Sequence, residues 1–232
     1  MKKNMQFMFI ALGLFASCSD DDKDNSQETV TFTSDFSTDL DGWEGDFADY
    51  PAGEEDFYEL DYALSALPEP LNEDDNALMQ TGNNHSDDLF MFIKKKVTGL
   101  EPNKTYSLAF TVEFATNAPE GSIGIGGSPA SSVYIKAGAS TAEPEKELDD
   151  DNYYRMNIDK GNQASGGANM LVLGDFSNGT ENEIYTLVTL TSEESITVET
   201  DDMGEAWIIL GTDSGFEATT TIYYTTIKVD FK

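Results

Sequence analysis

The chain has 232 residues, with 13 Lys and Arg, 44 Asp and Glu and one His, and a formal net charge of −31 at pH 7. So acidic a chain lacks the basic footprint that nucleic-acid binding requires, and anionic lipid would repel it. The single Cys excludes a disulfide framework and a thiolate metal cluster, and the single His excludes a multi-histidine metal site.

The first 17 residues have the pattern of a signal peptide. Two lysines near the start precede an apolar run from Met5 to Phe15. A membrane-spanning helix needs roughly 20 apolar residues. The shorter run therefore predicts a cleaved signal over residues 1–17.

The end of this segment resembles the lipobox of bacterial lipoproteins. The small residues Ala16 and Ser17 directly precede Cys18 (LFASC). Phe15 stands where an aliphatic residue is more usual. The resemblance implies cleavage before Cys18 and attachment of lipid, palmitate included, to its sulfur. The alternative is an ordinary secretory signal followed by a chance cysteine.

Residues 18–28 form a polar, acidic segment. Residues 19–28 contain no apolar side chain, so they cannot bury enough surface to fold and are predicted to be a flexible tether. Cys18 followed by Ser19 and three aspartates also resembles the export signal of surface lipoproteins in the Bacteroidetes. That resemblance implies display on the outer face of the outer membrane. A generic spacer on a periplasm-facing lipoprotein is the alternative.

From Thr29 onward the apolar residues alternate with a period of two. Apolar side chains recur at every second position from Tyr106 to Phe114, which is typical of a half-buried antiparallel strand. Turn residues (Gly, Asn, Asp and Pro) separate further strand candidates. These candidates are Thr29–Phe36, Ala77–Thr81, Leu89–Val97, Ser132–Ala137, Tyr153–Ile158, Met170–Leu173, Ile184–Thr191, Ile196–Glu199, Ala206–Gly211 and Thr220–Phe231.

About ten strands in some 200 residues predict one all-β domain over residues 29–232. Two packed antiparallel sheets are the usual solution, because a single open sheet this wide would leave an apolar face in water. We therefore expect a β-sandwich whose last strand pairs with its first. The polar segments Glu44–Glu55 and Thr141–Asn152 are expected to be loops, and Trp207 is expected in the core.

Several segments resemble the jelly-roll carbohydrate-binding modules that bind xylan- and glucan-type polysaccharides. They are Phe36 with the following Asp41–Trp43, Ala77–Gly82, Val97–Phe110 and Thr221–Phe231. The resemblance implies a jelly-roll sandwich and a carbohydrate ligand.

The chain departs from that family in two places. The segment Gly121–Gly174 does not match. Thr225 and Thr226 stand where the family's last strand carries an aspartate pair beside a structural calcium, which puts that calcium in doubt.

The densest polar cluster lies between two predicted strands, from Asn83 to Asp88. Asn and Asp oxygens can hydrogen-bond sugar hydroxyls or coordinate calcium. They are also good turn formers, so a purely structural turn is the alternative. The candidate ligand-binding residues here are Asn83, Asn84, His85, Asp87 and Asp88, with Asp87 and Asp88 as the candidate calcium ligands.

Aromatic residues form two further groups. Sugar rings stack on flat side chains, which supply contact area at little entropic cost. Arg155, the single arginine, either pairs with an acid or grips a ligand carboxylate. Core packing is the alternative for each aromatic. The candidate ligand-binding residues are Trp43, Tyr50, Tyr58, Tyr153, Tyr154 and Arg155.

Together these patterns predict a non-catalytic cell-surface protein, anchored in the outer membrane by lipid, that binds a glycan. Calcium is the one candidate cofactor, and no nucleic-acid partner is expected.

Two alternatives stay open. One is a polysaccharide-cleaving enzyme, which needs two carboxyls about 5–10 Å apart. The other is a structural or adhesion subunit with no small ligand, which predicts an exposed apolar patch.

Overall fold

The computed structural model describes residues 29–232. The predicted signal peptide, Cys18 and the tether lie outside these residues. The regular structure of the described part is entirely β, in fifteen strands. Within the same range no helix qualifies by length and apolarity as a membrane span.

The strands are numbered in chain order. They are β1 (Val30–Asp35), β2 (Glu44–Ala48), β3 (Tyr50–Pro51), β4 (Asp61–Ala66), β5 (Asn76–Asn83), β6 (Phe90–Val97), β7 (Thr105–Thr116), β8 (Val133–Ser140), β9 (Lys146–Leu148), β10 (Tyr153–Met156), β11 (Met170–Asp175), β12 (Thr186–Thr191), β13 (Ile196–Glu199), β14 (Ala206–Ser214) and β15 (Thr219–Phe231).

Two large antiparallel sheets pack face to face, which confirms the predicted two-sheet sandwich. The first has the order β12-β7-β15-β5-β4, with β1 paired to β15 and β13 paired to β7. The second has the order β11-β8-β14-β6-β2, and a small third sheet has the order β3-β10-β9. The predicted pairing of the last strand with the first is also confirmed, since Val30 lies opposite Phe231.

The core lies between the two large sheets. The alternating side chains of β7, from Tyr106 to Phe114, are all buried there. They face side chains such as Ile135 on β8 and Leu210 on β14, which belong to the same cluster. Because side chains in a strand alternate between faces, the period-two pattern of the sequence selects this inner face.

The five-stranded sheet is covered on its outer face as well. Phe90 and Phe92 of β6 and Ile209 of β14 form a second apolar cluster there. Residues 157–169, which we call the cap loop, lie over this cluster between the small sheet and β11. Coverage on both faces explains why β6 opens as a continuous apolar run instead of alternating.

The two segments expected to be loops contain strands. The first holds β2 and β3, and the second holds β9. β2 and β9 are short, charged edge strands. Polar edge strands need little apolar patterning to be stable, so a search for apolar periodicity misses them. β4, another edge strand, was also not predicted, although it carries only one charged residue.

Trp207 does not lie in the core as expected. It lies half-buried on the outer face of the five-stranded sheet, with the ammonium groups of Lys94 and Lys96 each 5.4 Å from its ring centroid. Trp43 is the tryptophan in the core. Its indole Nε1 donates a hydrogen bond to the Ser34 hydroxyl at 2.9 Å, and its ring packs edge-on against Phe36.

Truncating each tryptophan tests this assignment. We expect Trp43→Ala to lower the free energy of unfolding by about 3–5 kcal/mol, because it leaves a core cavity and removes the hydrogen bond from the indole to Ser34. Trp207→Ala is the control and should cost about 1 kcal/mol, the scale of an exposed cation–π contact. Urea unfolding of both variants measures the difference. Equal losses would contradict the assignment.

Candidate functional site

The structure brings the two predicted aromatic groups together. β3 pairs with β10, so Tyr50 lies opposite Tyr154. The turn that permits this pairing is at Asp49, whose φ of 62° lies in the left-handed region. Asp tolerates that conformation better than most side chains. The turn takes the chain out of the five-stranded sheet and into the small sheet.

Three rings, those of Tyr50, Phe57 and His85, pack around Tyr58 at this end of the sandwich, and Tyr154 packs on Tyr50. Tyr50 lies 5.6 Å from Tyr58 and 5.2 Å from Tyr154, measured between ring centroids. His85 meets Tyr58 edge-on at 5.3 Å and stacks on Phe57 at 4.0 Å with an interplanar angle of 20°. We call these rings, with Tyr153 beside Tyr154, the aromatic edge.

The rings of the aromatic edge differ in exposure. Tyr50 and Tyr58 are buried, so they form its base, while Phe57 is 57% exposed and its partner His85 is exposed too. The His85 Nε2 lies 3.2 Å from the Phe57 carbonyl oxygen, which holds the two rings parallel. Phe57 was not among the predicted site residues. The available signal was its place next to Tyr58 in a segment rich in aromatic residues.

Arg155 pairs with three acids, which was one of its two predicted roles. Its Nη1 lies 2.8 Å from Asp49 Oδ1 and 3.3 Å from Asp88 Oδ2, and its Nε lies 3.3 Å from Asp149 Oδ2. Its guanidinium carbon is 5.0 Å from the Tyr153 ring centroid. Arg155 therefore joins the Asn83–Asp88 loop to the aromatic edge.

A buried carboxylate, that of Asp213, lies deeper in the same network. Asp213 Oδ2 accepts hydrogen bonds from Lys136 Nζ at 2.8 Å, Lys160 Nζ at 2.9 Å and the Gln163 backbone N–H at 2.9 Å. The side chains of Lys136 and Asp213 are both 0% exposed. The Lys160 ammonium also lies 3.0 Å from Asp49 Oδ2, which links this buried centre to Arg155.

The cap loop carries Lys160 and Gln163 to the Asp213 carboxylate. Lys136 Nζ also donates to the backbone carbonyls of Lys160 and Ser165, at 2.9 and 3.0 Å. Within the loop, the Asp159 carboxylate accepts the backbone N–H groups of Gly161 and Ala168. These internal bonds lower the pKa of Asp159, while the two bonds from Lys136 hold the loop against β8.

Burial shifts the pKa values of this network in opposite directions. Burial raises the pKa of Asp88 to about 6, with the negative charge of Asp49 adding to the effect and the cations of Lys160 and Arg155 opposing it. Burial lowers the pKa of Lys136 although Asp213 opposes it. Burial alone would lower the pKa of Lys160 too, but the charges of Asp213 and Asp49 outweigh it and raise that pKa.

A shallow cavity opens beside the network. Its volume is about 270 Å³, near the lower end of the roughly 300–1,000 Å³ of small-molecule sites. Polar and charged groups line most of it, with two apolar side chains. The lining residues are Asp49, Asp88, Arg155, Met156, Ile158, Asp159, Lys160, Gly161 and Asn162.

The remaining predicted residues have mixed positions. Asn84 is buried and donates to the Ser214 and Phe216 carbonyls, so it anchors its loop. Asn83 makes a long contact of 3.4 Å with Glu59. Trp43 lies in the core toward the other end of β6, away from the aromatic edge.

The predicted calcium ligands Asp87 and Asp88 have other surroundings. Asp88 takes Arg155 as its cation, and the Asp87 carbonyl accepts a bond from the Gln163 side chain. In residues 29–232 no group of three or more His, Cys, Asp and Glu side chains is arranged to hold a metal ion.

Comparison with known proteins gives the fold class only. No protein-family model matches the chain, and no curated protein sequence matches it significantly. Similar solved structures include a xylan-binding domain from Paenibacillus barcinonensis, at 9% identity and a TM-score of 0.39, covering 86% of this chain and 92% of that one. A cleaved adhesin domain of Lys-gingipain from Porphyromonas gingivalis aligns at 10% identity and a TM-score of 0.37, covering 88% and 98%. At these values neither contributes to the functional argument.

Neutralising Asp88 should change how stability depends on pH. Its pKa rises from 3.8 to about 6 on folding, so the folded state binds the proton more tightly, and stability falls as pH rises through that window. We expect Asp88→Asn to stabilise the protein at about pH 8, because it removes a carboxylate whose charged form is unfavourable there. The gain should be only about 1 kcal/mol, since the side chain is one-third exposed and solvent screens its charge. The gain should vanish near pH 4.

The control variant is Asp87→Asn, which changes an exposed carboxylate one residue away. Thermal unfolding of both variants across the pH range measures the effect. Destabilisation of the Asp88 variant at about pH 8 would mean that the Arg155 contact outweighs the cost of burial.

Proposed function

We propose that this protein binds carbohydrate without cleaving it, through the aromatic edge. The observation that carries this proposal is the exposed, stacked pair of Phe57 and His85, the latter on the loop whose Asp88 lines a cavity with other charged side chains. A flat apolar surface next to hydrogen-bonding groups matches a sugar, which has apolar ring faces and polar hydroxyls.

The charge of the site favours a neutral glycan. The cations of Arg155 and Lys160 are already paired with acids, so neither is free for a uronate or a sulfate. The net charge of −31 would repel a polyanionic chain as well. A neutral polysaccharide meets neither obstacle.

The ion pairs of Asp49 also favour binding over cleavage. A glycosidase needs two carboxyls free to act on the substrate. Asp88 has a raised pKa, as a general acid would, but its neighbour Asp49 is only 5% exposed and lies between Arg155 and Lys160. A carboxylate held by two cations cannot approach a glycosidic bond without breaking both pairs.

The direction of the first strand supports a cell-surface role. β1 begins at Val30, opposite Phe231, at the end of β15 remote from the aromatic edge. The other end of β15 pairs with β5 at Asn83, beside His85. A lipid on Cys18 would attach the domain to the outer membrane by one end and leave the aromatic edge facing away from the cell.

Removing Phe57 tests the binding surface. We expect Phe57→Ala to weaken retention on the bound polysaccharide about tenfold, or by about 1.4 kcal/mol, because the sugar loses its stacking partner. Met203→Ala is the control: its side chain is 71% exposed, in the turn before the start of β14, at the opposite end of the sandwich. Pull-down with insoluble plant and algal polysaccharides and a glycan array give the measurement. Absence of wild-type binding to any glycan would refute the proposal.

Replacing the cysteine tests the anchor. Cells that express the protein should incorporate radiolabelled palmitate into it, and Cys18→Ser should abolish the label. The wild-type chain should be accessible to protease on intact cells. A wild-type chain that never acquires palmitate would contradict the lipid anchor, and a labelled chain that resists protease would indicate the periplasmic face.

An adhesion role is the second candidate, on the evidence of an apolar loop tip. Ile123 is 95% exposed and Ile125 71% exposed in the segment between β7 and β8. Exposed branched apolar residues on a loop favour contact with another macromolecule. Ile123→Asp should then abolish attachment of cells to a host surface and leave glycan retention unchanged. Unchanged attachment would remove this candidate.

A further inference from the structure

The buried contact between Lys136 and Asp213 is the least solvated ion pair of the described residues. The two residues lie diagonally on neighbouring strands, since Lys136 pairs with Gly211 and Asp213 with Tyr134 in the register of β8 and β14. Their side chains meet at 2.8 Å on the outer face of the sheet, under the cap loop. Both side chains are 0% exposed, so neither is in contact with bulk solvent.

The hydrogen bonds to the Asp213 carboxylate are unevenly distributed. All three donors, the ammonium groups of Lys136 and Lys160 and the Gln163 N–H, contact Oδ2. Among the groups that the structure describes, none donates to Oδ1, which is buried. An ionised carboxylate with a buried, unpaired oxygen is costly, and a neutral carbonyl in that place costs less.

From this geometry we infer that Lys136 and Asp213 condense to an intramolecular isopeptide bond that joins β8 to β14. The Lys136 amine attacks the Asp213 carboxyl carbon and forms a C–N bond. The bond from that carbon to Oδ2 breaks, and Oδ2 leaves as water. The Asp213 Oδ1 becomes the amide carbonyl oxygen. An ammonium and a carboxylate give an amide and one water molecule, so the step needs no oxidant, reductant or other reactant.

Lys160 is positioned to move the protons of this step. The Lys136 ammonium first passes a proton to Oδ2 along their 2.8 Å hydrogen bond and becomes the neutral amine that attacks. The Lys160 ammonium contacts the same oxygen at 2.9 Å, so it can donate the second proton, which lets Oδ2 leave as water, and recover one from the Lys136 nitrogen. The Gln163 N–H, on the same oxygen, stabilises the charge that develops there. Burial lowers the pKa of Lys136, with the neighbouring charge of Lys160 adding to the effect, which favours the neutral amine that attacks.

The surroundings favour the condensed product. The Lys160 ammonium lies 4.9 Å from the Phe90 ring centroid, and the apolar cluster of Phe90, Phe92 and Ile209 lies on the same face. A site that excludes water favours loss of water from the reactants and slows hydrolysis of the amide. The bond would tie together residues 77 positions apart in the chain, in the middle of the five-stranded sheet. A covalent tie would protect a domain that stands outside the cell.

Peptide mapping of the purified full-length protein tests the inference. After denaturation and proteolysis, tandem mass spectrometry should find the Lys136 and Asp213 peptides joined, lighter than their sum by one water molecule. Quantitative recovery of the two peptides unlinked and at their ordinary masses, from protein that was folded during expression, would overturn it. This readout is independent of glycan binding.

The chain supplies an internal control. Lys94 and Glu143 form an ion pair on the outer face of the same sheet, but the Glu143 side chain is partly exposed, and within residues 29–232 no second lysine forms an ion pair with it. We expect no link there. Linkage of both pairs would indicate condensation during handling and would overturn the assignment of a built site.

Two variants separate the roles of the lysines. Lys136→Arg keeps the positive charge but removes the primary amine, so the linked peptide should disappear. Lys160→Met removes the proton donor and leaves the Lys136 and Asp213 pair, so the linked fraction should fall and the unlinked fraction should rise. A fully linked Lys160 variant would overturn the role of Lys160, and the wild-type map decides the bond itself even where a variant fails to fold.

Discussion

The charge cluster around the Asp213 carboxylate, in the uncondensed form that the structure describes, is the constraint on which the outer side of this sandwich depends. A buried carboxylate costs several kcal/mol in lost hydration unless charged or polar donors surround it. Lys136 comes from the neighbouring strand, whereas Lys160 and Gln163 come from the cap loop. The cap loop therefore cannot leave the sheet without exposing a buried charge, and this requirement holds a long irregular segment in one place.

The candidate binding surface depends on the same interaction through Lys160. Because Lys160 contacts both Asp213 and Asp49, the position of the cap loop determines the position of Asp49. Asp49 in turn orients Arg155, which contacts the Asp88 loop and the Tyr153 ring. The candidate binding surface at the end of the sandwich is thus connected to a buried ionic network, and its exposed rings rest on the buried Tyr58.

The predictions from sequence succeeded where apolar side chains alternate. The β7 pattern from Tyr106 to Phe114 indicated both the strand and its buried face, and all ten other strand candidates contain strands. They failed where charge hides a strand, as in β2 and β9, and at Trp207, which occupies an apolar run but faces two lysines.

Among the candidate site residues, Arg155 was selected because it is the single arginine, whereas Lys136, Lys160 and Asp213 carried no local signal. Two lysines and an aspartate separated by tens of residues look like ordinary charged positions until the strands are paired.

The sequence by itself therefore determined the all-β class, because a period-two pattern acts locally, and from that class and the number of strands the two-sheet sandwich and the closing pair of first and last strands were correctly expected. Only the tertiary structure decided that the cap loop covers the outer face, that Tyr50 meets Tyr154, and that Phe57 is the exposed ring while Tyr58 is its buried support. Those outcomes depend on contacts between residues far apart in the chain and on the burial of charge. Neither is visible in the order of the residues.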